Sequence, residues 1–190
     1  METIEKIQKD LKQILSEKRY NHSIGVMEMA GELAKIYGVD IEMAKLAGLL
    51  HDNAKEMSKE DILEYIKQNN IQINEFEKFN LPILHGKIGA DIAKKKYGVN
   101  KQIQKAIEYH TTTNPNMDIL AKIIYVSDKI ELNRKSDSYD IEYERKIAKQ
   151  DLDKALLLII NNTTSHILEK GKMIAVESIE TRNKLIINSK

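Results

Sequence analysis

Cysteine is absent from the 190 residues, and proline occurs only twice, at Pro82 and Pro115. Without cysteine there can be no disulfide and no thiolate metal site, so any metal must be held by histidine and carboxylate ligands. With only 8 glycines as well, the chain has few breakers. Charge of one sign is also missing: Lys+Arg 30 against Asp+Glu 29 leaves no global basic field to attract a long nucleic acid. The longest aliphatic run, LLLII at 156–160, is far shorter than the roughly 20 residues of a membrane span. METIEKIQKDLKQIL mixes charged and apolar residues and lacks the apolar core of a secretory signal. These absences give the expectation of a cytoplasmic protein with neither a membrane nor a long nucleic acid as partner.

What the sequence does contain is apolar residues repeating at three and four positions, the period of helices. Helices are predicted over 2–16, 20–37, 40–51, 59–69, 83–97, 100–110, 118–132, 141–148, 151–170 and 178–188. Gly38, Gly98 and Gly171 follow periodic segments as stop signals, and Ser58 opens SKED in the manner of a capping box. A short apolar, strand-like stretch is expected between Gly171 and the last helix. The polar segment NRKSDSYDIEYERK at 133–146 reads as a solvated loop and helix start. The fold class predicted is all-α, a helical bundle of one domain over 1–190.

The five histidines carry the functional signal. His22 shares a helix face with Val26, Ala30 and Leu33; His51 with Ala44, Ala47 and Gly48; His85 with Ile88, Gly89 and Ile92; His110 with Ile103, Ala106 and Ile107. Asp128 continues the stripe Ala121, Ile124 and Tyr125. A carboxylate on an apolar face loses solvation and costs several kcal/mol unless a cation or strong donors compensate. Asp52, beside His51 in LAGLLHDNAKE, has the same need. One metal site would satisfy these residues together. Small residues such as Ala47, Gly48, Gly86 and Gly89 would let the helices close around it. His166, with no acidic neighbour, is read as structural.

The order His, His-Asp, distant Asp resembles the HD-domain superfamily of metal-dependent phosphohydrolases. His22 in RYNHSIGV, His51 and Asp52 in GLLHDNAKE, and Asp128 in IYVSDKIE match its four ligand positions. LPILHGKIGA and AIEYHTTTN, with His85 and His110, resemble the subgroup carrying two more histidines. With SDKIELNRK and KGKMIAVESIETRNKLI included, the likeness spans nearly the whole chain and is similar to the bacterial YqeK family, departing from it at Ala175 and Val176, where a His-Pro pair is expected. The resemblance implies an HD-type bundle with a metal core at about 18–132 and helices over 141–190 packed on it. It also implies symmetrical hydrolysis of diadenosine tetraphosphate to two ADP by a metal-bound hydroxide, with iron the first choice of ion and manganese, cobalt, nickel or zinc as alternatives.

His22, His51, Asp52 and Asp128 are then the metal ligands, and Asp52 could bridge to a second ion at His85 and His110. Failing that, these two histidines contact phosphate or move protons. Lys55, four residues beyond His51, projects toward the metal mouth, and the catalytic set expected is Asp52, His85, His110 and Lys55. Substrate contacts are expected from Lys55, His85, His110, Thr111, Asp128, Arg134 and Arg19, although a surface salt bridge explains Arg19 equally well. The resemblance adds Met173, Ile174 and Ala175 against the base, ADP or GDP as a product-like ligand, and a homodimer. The competing readings are another HD phosphohydrolase, acting as a nucleotidase or nucleoside triphosphate hydrolase, and a non-catalytic nucleotide-binding module.

Overall fold

The computed structural model describes residues 3–135 and 139–189. Among these residues there is no strand. The elements are α1 (Ile4–Ile14), α2 (Glu17–Tyr37), α3 (Ile41–Leu50), α4 (Lys59–Asn69), α5 (Glu75–Phe79), a 3₁₀ turn (Leu81–Leu84), α6 (His85–Tyr97), α7 (Lys101–Tyr109), α8 (Ile119–Ile130), α9 (Ile141–Ala148), α10 (Leu152–Glu169) and α11 (Val176–Asn188). Residue 2, which opens the first predicted helix, and residues 136–138 of the predicted polar loop lie outside the described residues.

Local chemistry sets most of the boundaries. The side chains of Ser16, Asp40, Asn100, Asp118 and Asp151 accept backbone N–H groups at the starts of α2, α3, α7, α8 and α10. Ser58 and Asp61 form the full reciprocal box on α4. Gly38 and Gly98 end α2 and α6 at φ 68° and 66°, a backbone conformation that costs glycine nothing.

Two features differ from the sequence expectation. The five-residue α5, capped by Asn74, lies between the predicted helices 59–69 and 83–97 and is too short to show a period. The strand-like stretch after Gly171 is irregular chain leading into α11, since no neighbouring strand offers it a ladder.

Helices α2, α3, α7 and α8 pack around Leu33, Leu49, Leu50, Ile103, Ile107, Ile123 and Ile124, all fully buried. Burying each such side chain stabilises the fold by about 1.5–3 kcal/mol. Helix α10 covers α8 with Ile159 and Ile160, and a smaller cluster of Ala54, Ile62, Leu84 and Ile88 anchors α4. Two glycines face the backbone of a neighbouring helix at close range. A Cβ on Gly48 would lie 3.0 Å from the Met27 Cα of α2, and one on Gly86 would lie 2.8 Å from the Glu108 carbonyl oxygen of α7. Both glycines flank histidines, so the close contacts draw the imidazole-bearing backbones together.

Candidate metal centre

Three of the four inward histidines sit at helix boundaries. His51 follows α3, His85 begins α6, and His110 follows α7. Each donates its Nδ1–H to the carbonyl three residues upstream: His51 to Gly48 at 2.7 Å, His85 to Pro82 at 2.6 Å, and His110 to Ile107 at 2.6 Å. His22, inside α2 where upstream carbonyls are committed to the helix, uses Glu131 Oε1 at 3.3 Å instead. These acceptors hold the proton on Nδ1 and leave each Nε2 free to coordinate.

All four Nε2 atoms converge on Asp52. Its Oδ2 lies 3.3 Å from His51 Nε2 and 3.7 Å from His22 Nε2, while its Oδ1 lies 3.1 Å from His85 Nε2 and 3.4 Å from His110 Nε2. Asp128 completes the first side, with Oδ1 3.0 Å from His22 Nε2 and 3.8 Å from His51 Nε2. Two donor groups result, one of His22, His51 and Asp52 and the other of Asp52, His85 and His110.

Electrostatics states the same requirement. Burial alone would raise the pKa of Asp52, but His51, chiefly through its charge, and the facing His110 and His85 favour the carboxylate and drive it far below its ordinary range. Burial likewise opposes ionisation of Asp128, and Lys129 and His22 overcome it. Burial lowers His110 to about 4, whereas the carboxylates of Asp52 and Asp128 outweigh burial at His51 and raise it. The cluster demands positive charge at its centre, and a proton on His51 or a cation supplies it. His22 Nε2 and His51 Nε2, both buried, have no hydrogen-bond partner. A lone pair facing the Asp128 carboxylate at 3.0 Å is repulsive unless a cation lies between them. The residues therefore fit a divalent metal.

The rim is cationic. Arg19, Lys55, Lys129 and Arg134 border a cleft of about 310 Å³ over the cluster. Arg19 Nη1 donates to Asp52 Oδ2 at 2.7 Å, so it belongs to the centre and not to a remote surface pair. Lys55 Nζ lies 3.3 Å from His85 Nε2, and its pKa is lowered, chiefly by burial. Its turn is tied to the start of α2 by two hydrogen bonds from Ser16 to the Glu56 carboxylate, at 2.6 and 2.7 Å. Arg134 Nη1 donates to the Asp128 carbonyl at 3.0 Å.

Thr111 lines the same cleft, whereas Met173, Ile174 and Ala175 lie in an adjoining cleft that shares Ile83 and Thr111 with it. Met173 is half exposed and Ala175 buried. His166, read from the sequence as structural, is instead exposed on α10.

Sequence reading missed four contributors. Lys129 pairs with Asp128 Oδ2 at 2.6 Å. Glu131 orients His22. Asn53 donates to the Gly89 carbonyl at 3.1 Å, tying the His51-Asp52 turn to α6. Arg145 of α9 donates to the carbonyls of Ile130, Glu131 and Arg134 at 2.8, 2.6 and 3.2 Å, pinning the segment that carries Arg134. Only Glu131 had a visible signal, as a second acid three residues after Asp128.

Comparison with known proteins agrees with this geometry. The HD domain family profile matches residues 19–133, the span holding all six converging residues. The symmetrical bis(5'-nucleosyl)-tetraphosphatase of Halalkalibacterium halodurans is 37% identical over 93% of each chain, and that of Bacillus subtilis is 36% identical over 94% of this chain and 95% of its own. A crystal structure from Clostridium acetobutylicum, described as a predicted HD superfamily hydrolase involved in NAD metabolism, superposes with a TM-score of 0.94 at 41% identity, covering 99% of each chain. The chain belongs to the HD-domain family and, within it, to the symmetrical bis(5'-nucleosyl)-tetraphosphatases.

Proposed function

We propose that this protein hydrolyses diadenosine tetraphosphate symmetrically to two ADP in a metal-dependent reaction. The observation that carries this reading is the convergence of four imidazole Nε2 atoms on the two oxygens of one carboxylate, Asp52, beneath a rim of four cations. His22, His51, Asp52 and Asp128 would hold one divalent ion, and Asp52 with His85 and His110 could hold another. When bound, the metal supplies Lewis acidity toward water and the phosphoryl oxygens.

The chain's own residues do the rest. Arg19, Lys55 and Arg134 balance the tetraphosphate charge, the two guanidiniums each being able to grip two phosphate oxygens. Without a second ion, His85 and His110 would instead contact phosphate or move protons through their Nε2 atoms. Thr111 offers a hydroxyl at the phosphate cleft, and Met173, Ile174 and Ala175 offer an apolar wall to one base. Cleavage at the middle anhydride follows from placing the cluster between two equivalent nucleoside diphosphate halves. The product-like ligand is ADP or GDP.

Iron is the ion we favour, because the family resemblance implies it; manganese, cobalt, nickel and zinc satisfy the same imidazole and carboxylate donors. Among the described residues no helix is long and apolar enough to cross a membrane. The absence of cysteine suits a reducing cytoplasm. A homodimer is the expected assembly, to be measured by light scattering. The test of function is incubation of metal-loaded protein with diadenosine tetraphosphate: ADP as sole product supports the reading, and AMP with ATP overturns it. Elemental analysis of anaerobically purified protein identifies and counts the ions.

A further inference from the structure

A symmetrically cleaved dinucleoside substrate carries one nucleoside on each side of the scissile bond, so two clefts beside the cluster would suit it. Two clefts adjoin this one. The first passes Ile83 and Thr111 to Met173–Ala175. The second, of about 400 Å³, passes Lys129 and Arg134 and runs between α9 and α10.

We propose that the α9–α10 cleft is the second nucleoside subsite, holding the half of the dinucleoside tetraphosphate opposite the Met173–Ala175 cleft. Lys129 and Arg134 form its neck, where the chain of phosphates leaves the metal cluster. The wall carries Glu144, only 1% exposed, whose Oε1 accepts from Asn162 Nδ2 at 2.8 Å while its Oε2 has no hydrogen-bond partner. A buried carboxylate oxygen without a donor is costly, and a turn of the Glu144 side chain toward a nucleoside hydroxyl or amino group in the cleft relieves it. Burial also raises the Glu144 pKa against the opposing influence of Asn162 and Arg134. Tyr139 and His166 also line the cleft, and rings of this kind can stack on a base. The assignment rests on the tetraphosphatase reading, which supplies the need for two halves.

Metal-loaded wild type, Glu144→Gln and His166→Ala are compared on diadenosine tetraphosphate, with two nucleosides, and adenosine 5'-tetraphosphate, with one. Wild type prefers the two-nucleoside substrate, and each variant lowers that preference about tenfold through KM, the size of one lost hydrogen bond or stacking contact. Because His166 is exposed, its variant keeps the wild-type melting temperature and the test stands even where Glu144→Gln folds poorly. A preference unchanged in folded variants, or absent in wild type, overturns the subsite and leaves the hydrolase reading intact. Release of no ADP from either substrate by wild type overturns the hydrolase reading and the subsite with it.

Discussion

Replacing Gly86 by alanine tests how the fold places two of the histidines. The new Cβ would stand 2.8 Å from the Glu108 carbonyl oxygen and 3.2 Å from both Cγ2 and Oγ1 of Thr111. A carbon and a carbonyl oxygen settle at about 3.3 Å or more, so α6 and α7 must separate by about half an ångström. Backbone cannot yield as a flexible side chain would. Overpacking of this kind costs about 1–3 kcal/mol, and the better helix propensity of alanine returns at most about 1. The net loss is about 1–2 kcal/mol, a fall in Tm of about 3–6 °C for a chain of this size. Gly86 follows His85, and Glu108 precedes His110 by two residues, so the separation also opens the 3.0 Å approach of their Nε2 atoms. Misplacement by 1 Å can cost about 100-fold in rate, which puts the expected fall in kcat near tenfold. Thermal melts and steady-state hydrolysis of diadenosine tetraphosphate measure both effects. A variant with wild-type Tm and wild-type kcat would refute the reasoning.

Glu131→Gln weakens the acceptor that orients His22 and is expected to lower metal affinity or activity by about 10- to 100-fold, read by metal titration; unchanged affinity would remove Glu131 from the account. Arg145→Ala leaves the carbonyls of Ile130, Glu131 and Arg134 without their guanidinium, so KM should rise more than kcat falls as Arg134 loses its fixed place. An equal fall in kcat with constant KM would contradict that positioning role. Glu144 has a folded pKa above its ordinary value of 4.5, raised by burial and Asp140 against Asn162 and Arg134. Its contribution to stability is therefore full at acid pH and is lost as pH rises from about 4.5 through the folded pKa. Metal-free Glu144→Gln should gain in Tm over wild type more at about pH 7.5 than at about pH 4, and the reverse trend would refute the sign.

The sequence disclosed the fold because helical period and caps are local: Ser58, Gly38 and Gly98 act within a turn of themselves. His22, His51, His85, His110 and Asp128 were legible for a related reason, as polar side chains on apolar faces that need a partner. Arg145 was not, because its role is to bind carbonyls 11 to 15 residues away, and nothing about an arginine in a polar stretch announces that geometry. The short α5 was too brief to show a period. The balance at Arg19 between surface ion pair and centre was decided by folding alone, which brings Ser16 to Glu56 and the guanidinium onto Asp52.

The central claim is that one shared carboxylate organises the metal and the reaction, and the direct measurement is metal content with product analysis on wild type and Asp52→Asn. Wild type should bind the divalent ion and convert diadenosine tetraphosphate to ADP alone, losing activity with chelation and regaining it on reloading. The variant should bind little metal and release no ADP. An Asp52→Asn protein that retains its metal and still yields ADP at the wild-type rate would contradict the account.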